Sequence, residues 1–189
     1  MTESSQSWQL LIYRVPQDPP GRRTYVWRHL KQLGAVYLQQ AAVILPDHPD
    51  TRGALAELAQ RIRAMGGDVS LLLTSSPDRE WEQDIIRRFK EARDEEYTEL
   101  IEGVERLEDE IRREQHKGKY TFAELEDIES DWEKLQRWQD RIQARDFFEA
   151  PLRASAHAAV ERGREALDAF AGEVYRREQG GEGNRDGSG

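Results

Sequence analysis

Residues 35–46 read AVYLQQAAVILP, two short runs of strand-forming residues that meet at Gln39-Gln40, and this stretch decides the fold. The Gln-Gln pair is a poor two-residue turn by propensity, so the expected connection is a tight or bulged hairpin. Upstream, residues 8–15 (WQLLIYRV) form an apolar run stopped by Pro16 and the turn-forming segment Asp18-Pro19-Pro20-Gly21. That pattern predicts a buried strand and a loop. Residues 22–33 then place Tyr25, Val26, Leu30 and Leu33 at helical spacing, with Gly34 just past the end as a C-cap. Downstream, residues 51–65 put Leu55, Leu58, Ile62 and Met65 on one helical face, Gly66-Gly67 ends that helix, and residues 69–73 predict a further strand. The resulting order is βαββαβ. It predicts an α+β fold with a ferredoxin-like domain over residues 8–75, an antiparallel sheet carrying both helices on one face.

The rest of the chain reads as helix. Ser76-Pro77 resembles an N-cap followed by proline at the first helical position, opening a helix to about Gln115, some ~55 Å long. Within it Tyr97, Leu100, Val104, Leu107 and Ile111 follow coiled-coil spacing. The turn His116-Lys117-Gly118-Lys119 breaks it, and Thr121 with Glu124 forms a capping box for a second long helix carrying Leu125, Ile128, Trp132, Leu135 and Ile142 along one seam. These two helices are expected to pair as a long antiparallel hairpin. After Asp146-Phe147-Phe148 and Pro151 a third helix is predicted to about Glu178, so that the helical region spans residues 76–178. The polar stretch 1–7 and the glycine-rich stretch 179–189 are expected to be disordered.

Composition sets limits on function. The 189 residues include no cysteine, which removes disulfides, thiolate nucleophiles and Cys-based metal sites. Net charge is -9, but it is unevenly spread: residues 1–79 carry nine Lys/Arg against seven Asp/Glu, net +2, leaving 19 against 30, net -11, for residues 80–189. The overall sum argues against indiscriminate nucleic-acid binding and leaves room for a local basic surface. The N-terminus lacks a signal pattern and no stretch is apolar enough to span a membrane, so a cytoplasmic location without membrane association is expected.

Several stretches together carry a family likeness. WQLLIYRVP, then Arg23, Trp27, Arg28, Leu30, Lys31, Gly34 and Ala35, then LQQAAVILP, and later Arg93-Asp94-Glu95-Glu96-Tyr97 and Asp146-Phe147-Phe148, resemble the N-terminal domain of the ChrB chromate-resistance regulators. The family commonly has Gly and an aromatic where this chain has Ala41 and Val43. Full-length ChrB also carries a C-terminal domain, so a stand-alone N-terminal module is expected. The resemblance implies a regulator associated with chromate resistance, acting on transcription and responding to an oxyanion. The first domain also resembles the central domain of PaaX-type repressors and small CRISPR-associated nucleases. Those nucleases place a metal-binding aspartate at the end of the first strand, where this chain has Tyr13-Arg14-Val15-Pro16. A Mg²⁺-dependent cleavage then lacks its first ligand.

The best candidate site is basic. Arg22, Arg23, Arg28 and Lys31, with Arg14 at the strand end and Trp27 beside them, follow Pro20-Gly21 at a predicted helix start, where free N–H groups favour an anion. Guanidinium forks suit phosphate or a tetrahedral oxyanion such as chromate, and Trp27 can stack on a base. The competing reading is a solvated face, or arginines paired with the acidic hairpin of the same chain. The acids Glu95, Glu96, Glu99, Glu102, Glu124, Asp127 and Asp131 read as solvated faces with ion pairs such as Glu102 to Arg106, because no Glu-x-x-His pair accompanies them. Trp81, Trp132 and Trp138 read as packing residues. No enzyme motif occurs, so the expectation is a non-catalytic protein without cofactor or metal. Its expected partners are DNA, chromate or another oxyanion, and a second copy joined through the apolar helical seam. A pure interaction or dimerisation module is the alternative.

Overall fold

The computed structural model describes residues 6–182, with side chains to residue 179. The expected disorder at residues 1–5 and 183–189 lies outside the described residues. Nine elements follow in the order β1 (Trp8–Arg14), α1 (Arg22–Gln32), β2 (Val36–Gln39), β3 (Ala42–Pro46), α2 (Pro49–Ala64), β4 (Asp68–Thr74), α3 (Arg79–His116), α4 (Phe122–Gln143) and α5 (Arg153–Glu182). Two compact units result: the chain up to Ala92 with Arg145–Phe148, and Arg93–Ala144 with the chain from Glu149. The division falls inside α3 rather than after residue 75. Ile85 and Phe89, on its first turns, belong to the apolar core of the first unit.

The first unit is an α+β structure built on a four-stranded antiparallel sheet in the order β2-β3-β1-β4. The hairpin expected at Gln39-Gln40 forms one residue later. Gln39 pairs with Ala42 and the register shifts between Tyr37 and Gln39, so Leu38 is the extra residue of a bulge. Both sheet helices end in the glycine geometry the sequence predicts. Gly34, at φ 75°, lets its own N–H reach Lys31 O and that of Ala35 reach Leu30 O. Gly66, at φ 78°, does the same with Arg63 O, while the N–H of Gly67 reaches Ile62 O. α2 begins two residues before the predicted start, because Pro49 takes the first helical position behind a His48 and Thr51 capping box. Thr51 is buried, donates its hydroxyl to Pro46 O at 2.9 Å and accepts from Gln9 Nε2 at 3.1 Å, tying α2 to β3 and β1.

Residues 6 and 7, expected to be disordered, are held: Gln6 N donates to Glu82 Oε1 at 2.8 Å and Ser7 O accepts from Asp47 N at 2.9 Å. Trp8 is fully buried and its ring meets Trp81, Phe89 and Phe148 at centroid distances of 6.4, 5.9 and 5.8 Å. This aromatic group explains why Arg145–Phe148 returns to the first unit. The cap of α3 is Asp78 rather than Ser76. Its carboxylate accepts from the N–H groups of Glu80 and Trp81, while Ser76 Oγ takes the N–H of Asp78 itself. Pro77 therefore precedes the helix.

In the second unit the predicted seams are buried: Tyr97, Leu100, Val104, Leu107 and Ile111 of α3 and Leu125, Ile128, Trp132 and Ile142 of α4 form one core with Ala156, Val160, Leu167, Phe170 and Val174 of α5. α3 and α4 are not a two-helix hairpin with a free seam. The tightest backbone neighbour of α4 is α5, because small residues on α5 permit close approach. A Cβ at Gly163 would lie 2.8 Å from Val104 Cγ1 and 3.0 Å from the Trp132 ring. α5 also continues past the predicted end at Glu178, to Glu182. Among the described residues, no helix is long and apolar enough to cross a membrane.

Candidate functional site

α1 advances 100° per residue, and this rotation separates the candidate residues. Val26 and Leu30 are buried and fix the inner face. Tyr25, His29 and Leu33 are half-buried and extend that face to one side, while on the other, from Arg23 beside Leu30, an arc of about 140° carries Trp27, Lys31 and Arg28. All four are exposed, Trp27 by 46%. Arg23 and Arg28 have no hydrogen-bond or ion-pair partner among the described residues. Lys31 Nζ lies 5.2 Å from the centroid of the Trp27 ring, a cation–π contact that holds the indole beside the positive charges. The first turn of α1 contains no acidic residue, and its N-cap, Gly21 at φ 98°, offers no side-chain acceptor to the free N–H groups.

Arg22 and Arg14 do not join this face. Arg22, one step of rotation away, turns inward and donates from Nη1 to Met65 O at 2.9 Å and to Asp18 O at 2.8 Å. It ties the start of α1 to the end of α2 and to the preceding loop. Arg14 faces Asp68 across the β1–β4 ladder and is ion-paired with it, its Nε 3.0 Å from Oδ2. The acid that neutralises Arg14 is thus on the neighbouring strand and not on the acidic helical hairpin. A residue not nominated from sequence enters instead. Arg145 Nη1 donates to Lys31 O at 3.0 Å, adding a guanidinium at the C-terminal end of α1 from 114 residues along the chain. No local pattern around Arg145 announces this.

On its other side α1 is stitched to α2. His29 Nδ1 donates to Tyr25 O at 2.9 Å, the two rings lie 4.1 Å apart, and Arg61 of α2 donates to the Tyr25 hydroxyl at 2.6 Å. Tyr25 and Glu57 together raise the pKa of Arg61 above its ordinary value, Tyr25 contributing most. Further along the sheet the Tyr13 and Tyr37 hydroxyls meet at 3.2 Å, and burial pushes the Tyr37 phenol well above its usual range. These contacts make α1 a fixed platform, and its outer face has no structural task of its own.

Several of the acids on the long helices form local ion pairs. Glu102 lies 3.9 Å from Arg106 and Asp131 2.6 Å from Lys134. Trp81 and Trp138 are partly buried against the two cores, and Trp132 is buried outright.

Comparison with known proteins places the chain. Residues 23–181, from the first turn of α1 to the end of α5, match the family described as Protein ChrB, N-terminal. A curated relative, Protein ChrB of Cupriavidus metallidurans, is 32% identical over 95 residues, half of this chain and 29% of the relative's length. No solved structure matches the chain. The matched residues include the whole exposed face of α1 and all three long helices, and the chain belongs to the ChrB N-terminal family.

Proposed function

We propose that the chain is a ChrB-like regulatory module, associated with chromate resistance, whose exposed α1 face binds DNA phosphates or a tetrahedral oxyanion. The observation that carries this reading is a set of cations without counter-ions among the described residues, Arg23, Arg28 and Lys31 around the exposed Trp27, on a protein of net charge -9. A solvated helix face in an acidic chain ordinarily pairs its arginines, as α3 and α5 do here. Arginine forks suit phosphate and chromate geometry alike, and an indole held by a lysine offers a stacking surface to an unpaired base or a sugar edge. Support for a ferredoxin-like reading of the first unit comes from the order β2-β3-β1-β4 with α1 and α2 interleaved. The reading is of a cytoplasmic binding module without catalysis, cofactor or metal.

The test is gel-shift binding of the purified chain to DNA from upstream of its own gene, at stated salt and with and without chromate. Saturable, competitor-resistant binding that chromate alters, and that Arg23→Glu with Arg28→Glu abolishes while the fold persists, is the expected outcome. Absence of binding down to ~50 mM salt, where phosphate contacts are strongest, refutes it.

A further inference from the structure

A sheet ends where its last strand is prevented from pairing, and the two edges of this sheet are treated differently. Tyr13 N donates to Ala41 O at 2.9 Å, so Gln9, Leu11 and Tyr13 direct their backbone groups toward β3, and Trp8, Leu10, Ile12 and Arg14 direct theirs toward β4. Their partners Thr74, Leu72, Ser70 and Asp68 turn inward to receive them. Val69, Leu71 and Leu73 therefore turn their N–H and C=O groups outward. By the same alternation Tyr37 faces outward on the opposite edge. That edge is blunted: β2 has four residues, is bulged at Leu38, and the Tyr37 carbonyl accepts from Arg88 Nη2 at 2.6 Å.

β4 is neither short nor bulged. It is seven residues long, pairs with β1 without a register shift and contains no buried residue. Its one outward contact is a long one, Arg63 Nη2 to Val69 O at 3.4 Å. The outward groups of Leu71 and Leu73 have no partner among the described residues. Leu73 is 65% exposed and Leu72 48%, and Ile12 on the neighbouring strand is 44% exposed. Bare backbone and bare apolar side chains thus coincide on one edge.

We infer that the outer edge of β4 pairs antiparallel with β4 of a second copy, about a twofold axis at Leu71, to form one continuous sheet across the dimer. The strand DVSLLLT is complementary to itself in this register over its full length. Leu71 meets its own copy and Val69 meets Leu73, all with outward-facing backbone, giving about six ladder hydrogen bonds. Ser70 meets Leu72 on the opposite sheet face, with the two Leu72 side chains on a diagonal within reach of each other. Asp68 falls opposite Thr74, so no like charges meet, whereas an in-register parallel pairing sets Asp68 against Asp68. A slip of one residue sets outward groups against inward ones and forfeits the ladder. The seam of the long helices is not an alternative surface, because α5 covers it. The inference does not rest on the reading of α1.

Sedimentation velocity of the full chain tests it. The wild type is expected to be a dimer, and Leu73→Pro a monomer with unchanged circular dichroism, since proline there removes only an outward N–H and leaves the β1 ladder whole. Leu73→Lys, which keeps the backbone donor, is expected to shift the same equilibrium toward monomer. The absence of other cysteines allows a positional readout: Leu71→Cys is expected to form a disulfide-linked dimer on mild oxidation, and Leu73→Cys, whose mate is Val69, is not. A wild type that stays monomeric at ~100 μM, well above the dissociation constants of stable dimers, overturns the inference. So does a dimer that both Leu73 variants leave intact.

Discussion

Arg22 and Arg23 are neighbours with the same side chain, and replacing each by alanine is expected to have opposite consequences. Arg22 donates to two backbone carbonyls, one of them Met65 O at the end of α2. A hydrogen bond from a charged group contributes about 1.5–3 kcal/mol when shielded. The Asp18 bond is exposed and the Met65 bond only part-buried, so Arg22→Ala should destabilise the first unit by about 1–2 kcal/mol. With a urea slope of about 1 kcal/mol/M for a unit of this size, the unfolding midpoint falls by about 1–2 M. Trp8, Trp27 and Trp81 report that transition by fluorescence. Arg23 is exposed and has no hydrogen-bond or ion-pair partner among the described residues, so Arg23→Ala should leave stability within about 0.5 kcal/mol and appear only in DNA binding, as a salt slope shallower by about 0.9. Equal midpoints for the two variants, or a loss of binding with Arg22→Ala that persists under conditions where it is fully folded, would refute the assignment of one arginine to the fold and the other to the ligand.

Other outcomes follow from packing and titration. A Cβ at Gly67 would sit 2.5 Å from Arg14 O and 2.8 Å from Ile62 Cγ2, so Gly67→Ala should cost about 2 kcal/mol by overpacking, read by urea melts. Two glycines of α5 should respond with opposite signs in thermal melts. Gly163→Ala, tight against Val104 and Trp132, should destabilise by about 1 kcal/mol, while Gly172→Ala, with open space around its Cβ position, should stabilise by up to about 1 kcal/mol through helix propensity. Thr51→Val should cost about 1–3 kcal/mol, because Gln9 Nε2 loses its 3.1 Å partner inside the core, and the same melts report it. In acid, hydrogen bonds from Arg52, Lys117 and Arg177 hold the carboxyls of Asp47, Glu114 and Glu173 below their usual range. A lowered folded pKa gives stability that is present above the unfolded value, ~4, and is lost as pH falls through the folded one. Melting temperature should therefore decline below about pH 4, and Asp47→Asn should flatten that decline.

The parts of the fold legible in the sequence were those set by local rules. Gly34 and Gly66-Gly67 marked helix ends because a left-handed residue is needed there, and Thr121 announced α4 because its hydroxyl takes the N–H of Glu124 at 3.3 Å. Asp78 is not legible as the cap because Ser76-Pro77 offers one two residues earlier, and only the backbone path shows which acceptor points down the helix. The part of α5 in this core is not legible for a different reason. Seam spacing identifies the buried face of a helix but not how many helices share it: α4 packs on α3, where a Cβ at Gly103 would lie 2.8 Å from Leu135 Cδ2, and comes nearer still to α5 through the latter's small residues.

The site shows how far a single helix can be read. Arg22 precedes Val26 by four residues and falls inside the arc of Tyr25, Val26, His29 and Leu33, whereas Arg23 precedes Leu30 by seven and falls at the border of that arc, beside Trp27 and Lys31. The wheel thus puts Arg22 within the half-buried arc and Arg23 at its border, and the bond to Met65 O decides the difference. No such signal exists for Arg14 or Arg145. The neutralisation of Arg14 depends on the β1–β4 register bringing Asp68 alongside. Arg145 reaches α1 only because Phe147 and Phe148 draw that segment into the core of the first unit. A charge is therefore free or spent according to pairings made tens of residues away. In this chain the long-range contacts removed two of the nominated cations from the face and left Arg23, Arg28 and Lys31 on it.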